Sequence, residues 1–117
     1  MRRQDESSLQ RCCVAWYRLQ YPQLATLLFA VPNGGSRNAI EAARMKGEGV
    51  TAGVADLLLL VPGNGYHGLT IEMKAGKNKQ TEKQIEWQQA VEAQGYRYIV
   101  CRSFDEFRQA IQNHFAK

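Results

Sequence analysis

The sequence predicts an α/β fold with one mixed β-sheet flanked by helices. Three observations carry this expectation. Segments of helical periodicity alternate with short apolar runs of strand length. Asn64-Gly65, a strong reversal signal, separates two of those runs. Thr81 with Gln84, and Ser103 with Glu106, have the spacing of a capping box at a helix start. At 117 residues the chain is long enough for one hydrophobic core, and residues 1–117 are expected to form a single domain.

In chain order, Glu6 to Gln20 reads as an amphipathic helix with Leu9, Cys12, Cys13, Trp16 and Leu19 on its apolar side, stopped at Tyr21-Pro22. Leu24 to Val31, bounded by Pro22 and Pro32, reads as a buried strand. Turn formers fill Pro32 to Asn38, and the good helix formers from Ala39 onward predict a short helix that glycines punctuate. Val54 to Val61 is the second strand and Leu69 to Lys74 its return strand. Thr81 opens a helix whose apolar face is Ile85, Trp87, Ala90 and Val91, ending at Gly95. Tyr96 to Cys101 is a strand, and Ser103 opens a last helix with Phe104, Phe107, Ile111 and Phe115 on its buried side.

A 44% apolar share with 22% charged residues is ordinary for a globular protein, so disorder is not expected. The formal net charge of +4 weakly favours polyanionic partners. Cys12, Cys13 and Cys101 are odd in number and lack CxxC spacing, which argues against a zinc knuckle or a disulfide framework and suggests reduced thiols in a cytoplasm. No apolar stretch follows the charged first ten residues, and none approaches the length of a membrane span, so neither export nor a membrane partner is expected.

The chemistry gathers on the predicted hairpin. A turn centred on Asn64-Gly65 places Asp56 opposite Glu72 or one of its immediate neighbours. Strand parity puts Glu72 and Lys74 on one sheet face and Ile71 and Met73 on the other. Two carboxylates so close raise one pKa strongly unless a cation lies between them. Mg²⁺ suits the arrangement, because this hard ion accepts a few carboxylate oxygens and keeps several waters. An Asp at a strand start and a Glu-x-Lys at a strand end also occur as solvated, weakly paired ends, so the triplet alone leaves both readings open.

Further segments narrow the choice. "PNGGSRN", "EAARMKGEGVTAGVADLLL" and "HGLTIEMKAGKNKQTEKQIEWQQAVEAQGYRYIVC", with Glu6 and Gln10 ahead of them, closely resemble the VRR-NUC family of virus-type replication-repair nucleases. That family is a branch of the PD-(D/E)XK superfamily, and the resemblance covers roughly Asp5 to His114. It implies a restriction-endonuclease-like core and a Mg²⁺- or Mn²⁺-dependent endonuclease. It also implies that Asp56 is the motif Asp, that Glu72 and Lys74 are the (D/E)XK pair, and that Glu6 and Gln84 join them in the catalytic site. Glu6, Asp56, Glu72 and Met73 are the expected metal ligands. Ala55 departs from the proline of the superfamily motif, a residue that shapes backbone and ligates nothing. The resemblance further implies a homodimer, bacterial or phage-encoded, acting inside the cell on branched DNA such as four-way (Holliday) junctions. Flap or duplex cleavage in repair and a non-catalytic nucleic-acid-binding module are the alternatives.

Other residues carry two readings each. By spacing alone Glu6 is an acid favoured in a first helical turn, and Gln84 is the N3 member of a capping box. Arg37, Arg44, Lys46, Lys77 and Lys79, with Lys83, are either solvated surface or the DNA-binding rim of the site. Asn33 to Gly35 is a turn or a backbone approach to a phosphate. His67 and His114 read as surface histidines without metal spacing. Trp16 and Trp87 read as packing residues rather than base-stacking platforms, with a dimer interface as a further use.

Overall fold

The computed structural model describes residues 5–32 and 38–116. The order is α1 (Glu6–Gln20), a 3₁₀ segment (Pro22–Leu27), β1 (Leu28–Ala30), α2 (Ala39–Gly47), β2 (Leu57–Leu59), β3 (Leu69–Met73), α3 (Glu82–Ala93), β4 (Arg97–Cys101) and α4 (Phe104–Phe115). The strands form one sheet in the order β1-β2-β3-β4, antiparallel from β1 to β3 and parallel between β3 and β4. This is the mixed sheet with flanking helices that the alternation of elements predicts.

The centre of the sheet is β3, whose five residues are all buried. Its alternation sorts them by chemistry. Leu69, Ile71 and Met73 join Leu28, Leu57, Leu59 and Cys101 in a core completed by Leu9, Cys13 and Tyr17 of α1 and Phe107 and Ile111 of α4. Thr70 and Glu72 point to the opposite face, where Gln84 of α3 reaches Glu72. One face of the strand therefore supplies stability and the other is free for chemistry. Burial pushes the Cys13 and Cys101 thiols up to about 12, so both behave as small apolar side chains.

Several expectations are corrected. The run from Leu24 to Val31 is a strand only over Leu28–Ala30, because Pro22 opens a 3₁₀ turn and the Tyr17 hydroxyl donates to the Leu24 carbonyl at 2.9 Å. The strand expected over Val54 to Val61 narrows to Leu57–Leu59, with flanking bonds from Val31 N–H to the Asp56 carbonyl and from Leu60 N–H to the Leu27 carbonyl. On α1, Cys12 and Leu19 are exposed and Tyr17 is buried, so the apolar stripe is rotated from the expected one. On α3, Ile85 and Ala90 are exposed, and Trp87 and Val91 are only half-buried. His114 is fully buried rather than at the surface, bonding through Nε2 to the Val61 carbonyl. His67 is exposed, as expected. At α4 only half of the capping box forms: Ser103 Oγ accepts from Glu106 N–H, whereas the Glu106 carboxylate accepts from Arg102 N–H at 2.7 Å.

The hairpin turns where the sequence predicts. Gly63 and Tyr66 exchange main-chain hydrogen bonds across Asn64 and Gly65, whose φ values of 50° and 84° match a type I′ turn. Between that pair and the ladder pair Leu59–Leu69, the first arm holds Leu60, Val61 and Pro62 and the second only His67 and Gly68. The extra residue shifts the register by one.

Candidate active site

That shift decides which face Asp56 takes. Continued from the Leu57–Ile71 pair, the ladder sets Asp56 opposite Glu72, on the side away from the core. Without the extra residue Asp56 would fall opposite Met73, on the core side. Asp56 itself sits just before β2, half-buried, with its Oδ2 accepting from Met73 N–H at 2.7 Å.

Glu72 is almost wholly buried and held on every side. The Tyr98 hydroxyl donates to Oε1 at 2.9 Å, and Gln84 Nε2 donates to Oε2 at 2.8 Å. Lys74 Nζ lies 3.8 Å from the same Oε2 and is also buried. Burial pushes the Glu72 carboxyl up to about 7, helped by the adjoining Asp56 charge and opposed by Tyr98 and Lys74. Burial likewise raises Asp56, against the Met73 N–H and Lys74, which favour its charged form.

Gln84 closes the capping box of α3 and reaches Glu72 with the same side-chain amide. Its Oε1 accepts from Thr81 N–H at 2.8 Å while Thr81 Oγ1 accepts from Gln84 N–H, which completes the capping box. The remaining amide nitrogen is thereby turned toward Glu72. Bringing α3 this close requires Gly53, since a Cβ there would stand 2.3 Å from the Lys83 carbonyl oxygen and the φ is +85°.

Glu6 is near the pair without joining it. Its Oε2 accepts from Ala75 N–H and from Asn78 Nδ2, each at 3.4 Å, so it fastens the loop after β3. Among the described residues no group of three or more His, Cys, Asp or Glu is placed to hold one metal ion. The Asp56 and Glu72 carboxylates do meet, and two hard oxygen donors with room for waters and a phosphate fit Mg²⁺ or Mn²⁺. The Met73 side chain is buried in the core, so only its main-chain carbonyl is a candidate donor.

Asp56, Glu72, Lys74, Glu6 and Gln84 line a single cleft of about 1110 Å³. Lys46 and Lys83 lie on its rim. Arg44 is exposed and paired with Glu48 at 3.1 Å, and Lys77 and Lys79 are exposed on the loop after β3. Arg102 steadies that loop by donating to the carbonyls of Gly76 at 3.0 Å and Asn78 at 2.7 Å. Arg37 and the Asn33 to Gly35 turn lie outside the described residues. Tyr98, Arg102 and Gly53 went unread in the sequence. Tyr98 shares the face of Glu72 because the β3–β4 register sets it opposite Thr70, a pairing that local sequence does not reveal.

The VRR-NUC domain family matches this chain over residues 1–105. The chain belongs to the VRR-NUC family. A solved structure described as a VRR_NUC domain protein superimposes with a TM-score of 0.84 at 28% identity, covering 97% of this chain and 90% of that one. No curated protein matches. VRR-NUC membership implies a nuclease-type function and therefore DNA as a partner. Among the described residues of this VRR-NUC domain, no helix is long and apolar enough to cross a membrane.

Proposed function

We propose that this VRR-NUC domain is a Mg²⁺- or Mn²⁺-dependent DNA endonuclease that cuts phosphodiester bonds in branched DNA, four-way junctions first among them, as a homodimer. The observation that carries the reading is the meeting of Asp56 and Glu72, with Lys74 beside them, in one open cleft. Asp56, Glu72 and the Met73 carbonyl would hold the cation. The cation supplies polarisation of a phosphoryl oxygen and a water of lowered pKa. Gln84 and Tyr98 keep the Glu72 carboxylate in one orientation, so little reorganisation is needed when substrate arrives. Lys74 Nζ is placed to orient the attacking water or to offset charge gathering on the phosphoryl oxygens. The rim lysines hold flanking phosphates, and a two-fold pair of sites would match the two-fold arms of a junction.

Labelled four-way junction, flap and duplex DNA, incubated with purified protein with and without EDTA, test the proposal. Metal-dependent cutting fastest on the junction is expected. Asp56→Ala and Lys74→Ala should each lower it by at least about a hundredfold, the scale of losing a group that acts in the transition state. Full-rate cutting by either variant would overturn the assignment.

A further inference from the structure

The cleft does not end at the carboxylates. Trp87 lies three residues beyond Gln84 on α3 and is therefore its neighbour on the helix surface. Met45 and Val50 line the same cleft, and Val50 is 42% exposed. None of the α3 residues is fully buried, so this apolar surface is not consumed by the core. Trp87 is nevertheless held in place: its ring meets Tyr98 edge-on, with centroids 6.1 Å apart and an interplanar angle of 61°. The result is an oriented aromatic ring, half-buried, about one helical turn from the residue that touches Glu72.

A phosphodiester seated at Asp56 and Glu72 carries a base one sugar away, a span comparable to that turn. In an intact duplex the base is stacked and paired, and cannot enter a side cleft. At a branch or single-stranded end it is free to swing out and stack on an aromatic ring. We propose that the Trp87 end of the cleft is a subsite for one unpaired nucleobase beside the phosphate being cut. The subsite rests on the nuclease reading and gives it a physical means of selecting branched or single-stranded substrate. Trp87, Met45 and Val50 offer the base aromatic and apolar contact, while Lys46, Lys83 and Glu86 line the same cleft, so stacking on Trp87 is the recognition step and tolerates any base.

The experiment compares wild type, Trp87→Ala, Trp87→Phe and Val50→Glu by fluorescence anisotropy, with Ca²⁺ replacing Mg²⁺ to keep the DNA intact. The probes are a fully paired duplex and the same duplex carrying unpaired nucleotides at a branch. Trp87→Ala should weaken binding of the branched probe by roughly five- to a hundredfold, the worth of one stacked base. The duplex should change by less than about twofold, and Trp87→Phe should recover most of the loss. Val50→Glu, in the lining of the same cleft, should give the same selective loss, which keeps the proposal testable if Trp87→Ala does not fold. Divalent-ion affinity, measured by calorimetry, should be unchanged in all three. Equal losses on both probes, or none, would overturn the subsite. So would a loss that tracks dissociation of a dimer in sedimentation, which would make this surface an interface between copies. Metal-dependent cutting that persists while Trp87→Ala keeps its substrate preference sinks the subsite alone. A wild-type protein that neither binds nor cuts DNA sinks the nuclease reading with it.

Discussion

Glu72 is a carboxylate whose two oxygens meet a phenol, an amide and an amine. Its burial has a consequence for stability that can be signed. The carboxyl rises from an ordinary 4.5 to about 7, so between those values the folded, metal-free protein keeps a proton that the unfolded chain has released. Stability is therefore highest at the acid end of that window and falls as pH rises through it. The melting temperature of the metal-free protein should drop between about pH 4.5 and about pH 7, and Glu72→Gln should abolish most of the drop. The same proton competes with a cation. Divalent-ion affinity should rise with pH up to about 7, with proton release visible by calorimetry in buffers of different ionisation enthalpy. Tyr98→Phe removes the donor to Oε1 while keeping the ring, and should weaken cation binding by about tenfold or more, the usual scale for a group that orients a ligand.

At the level of elements, the site depends on three short pieces of chain meeting. The extra residue in the hairpin turns Asp56 to the face of Glu72, the capping box of α3 aims Gln84, and Gly53 lets the loop before β2 lie against the Lys83 carbonyl. The last of these approaches has the least slack, because the obstructing atom is backbone. Gly53→Ala should destabilise the fold by about 1–3 kcal/mol in denaturant melts, through the positive φ and the clash together. It should also lower cutting more than stability alone explains, by moving Gln84 off Glu72. Loss of stability without that added loss of cutting would show that the loop and α3 can separate without disturbing Glu72.

For the whole molecule, the formal charge of +4 is modest, so affinity for DNA depends on where the cations lie. Lys77 and Lys79 are exposed on a loop that Glu6 holds at Ala75 and Asn78 and Arg102 holds at Gly76 and Asn78. Tethering reduces the ordering cost of presenting two cations to a phosphate backbone. Replacing both with Ala should reduce the salt dependence of DNA binding by about two in log-log slope, roughly one for each phosphate that a lysine no longer neutralises. An unchanged slope would place the DNA path along Lys46 and Lys83 of the cleft instead.

Local rules made much of this molecule readable in advance. The four helices, the reversal at Asn64-Gly65 and the shared face of Glu72 and Lys74 follow from periodicity, capping spacing and strand parity, which act within a few residues. The errors fell where distant partners decide. Leu24 to Leu27 curls under Tyr17, His114 is sealed beneath Val61, and the α1 stripe turns to bury Tyr17. By itself the sequence determined the mixed sheet, the hairpin and the acidic and basic residues on it. Only the tertiary structure decided that Asp56 faces Glu72 in register, that Glu6 holds a loop, that Tyr98 completes the Glu72 cradle, and that Trp87 borders the cleft. Each depends on the register and approach of segments far apart in the chain, and a one-residue shift reverses which face a strand residue occupies.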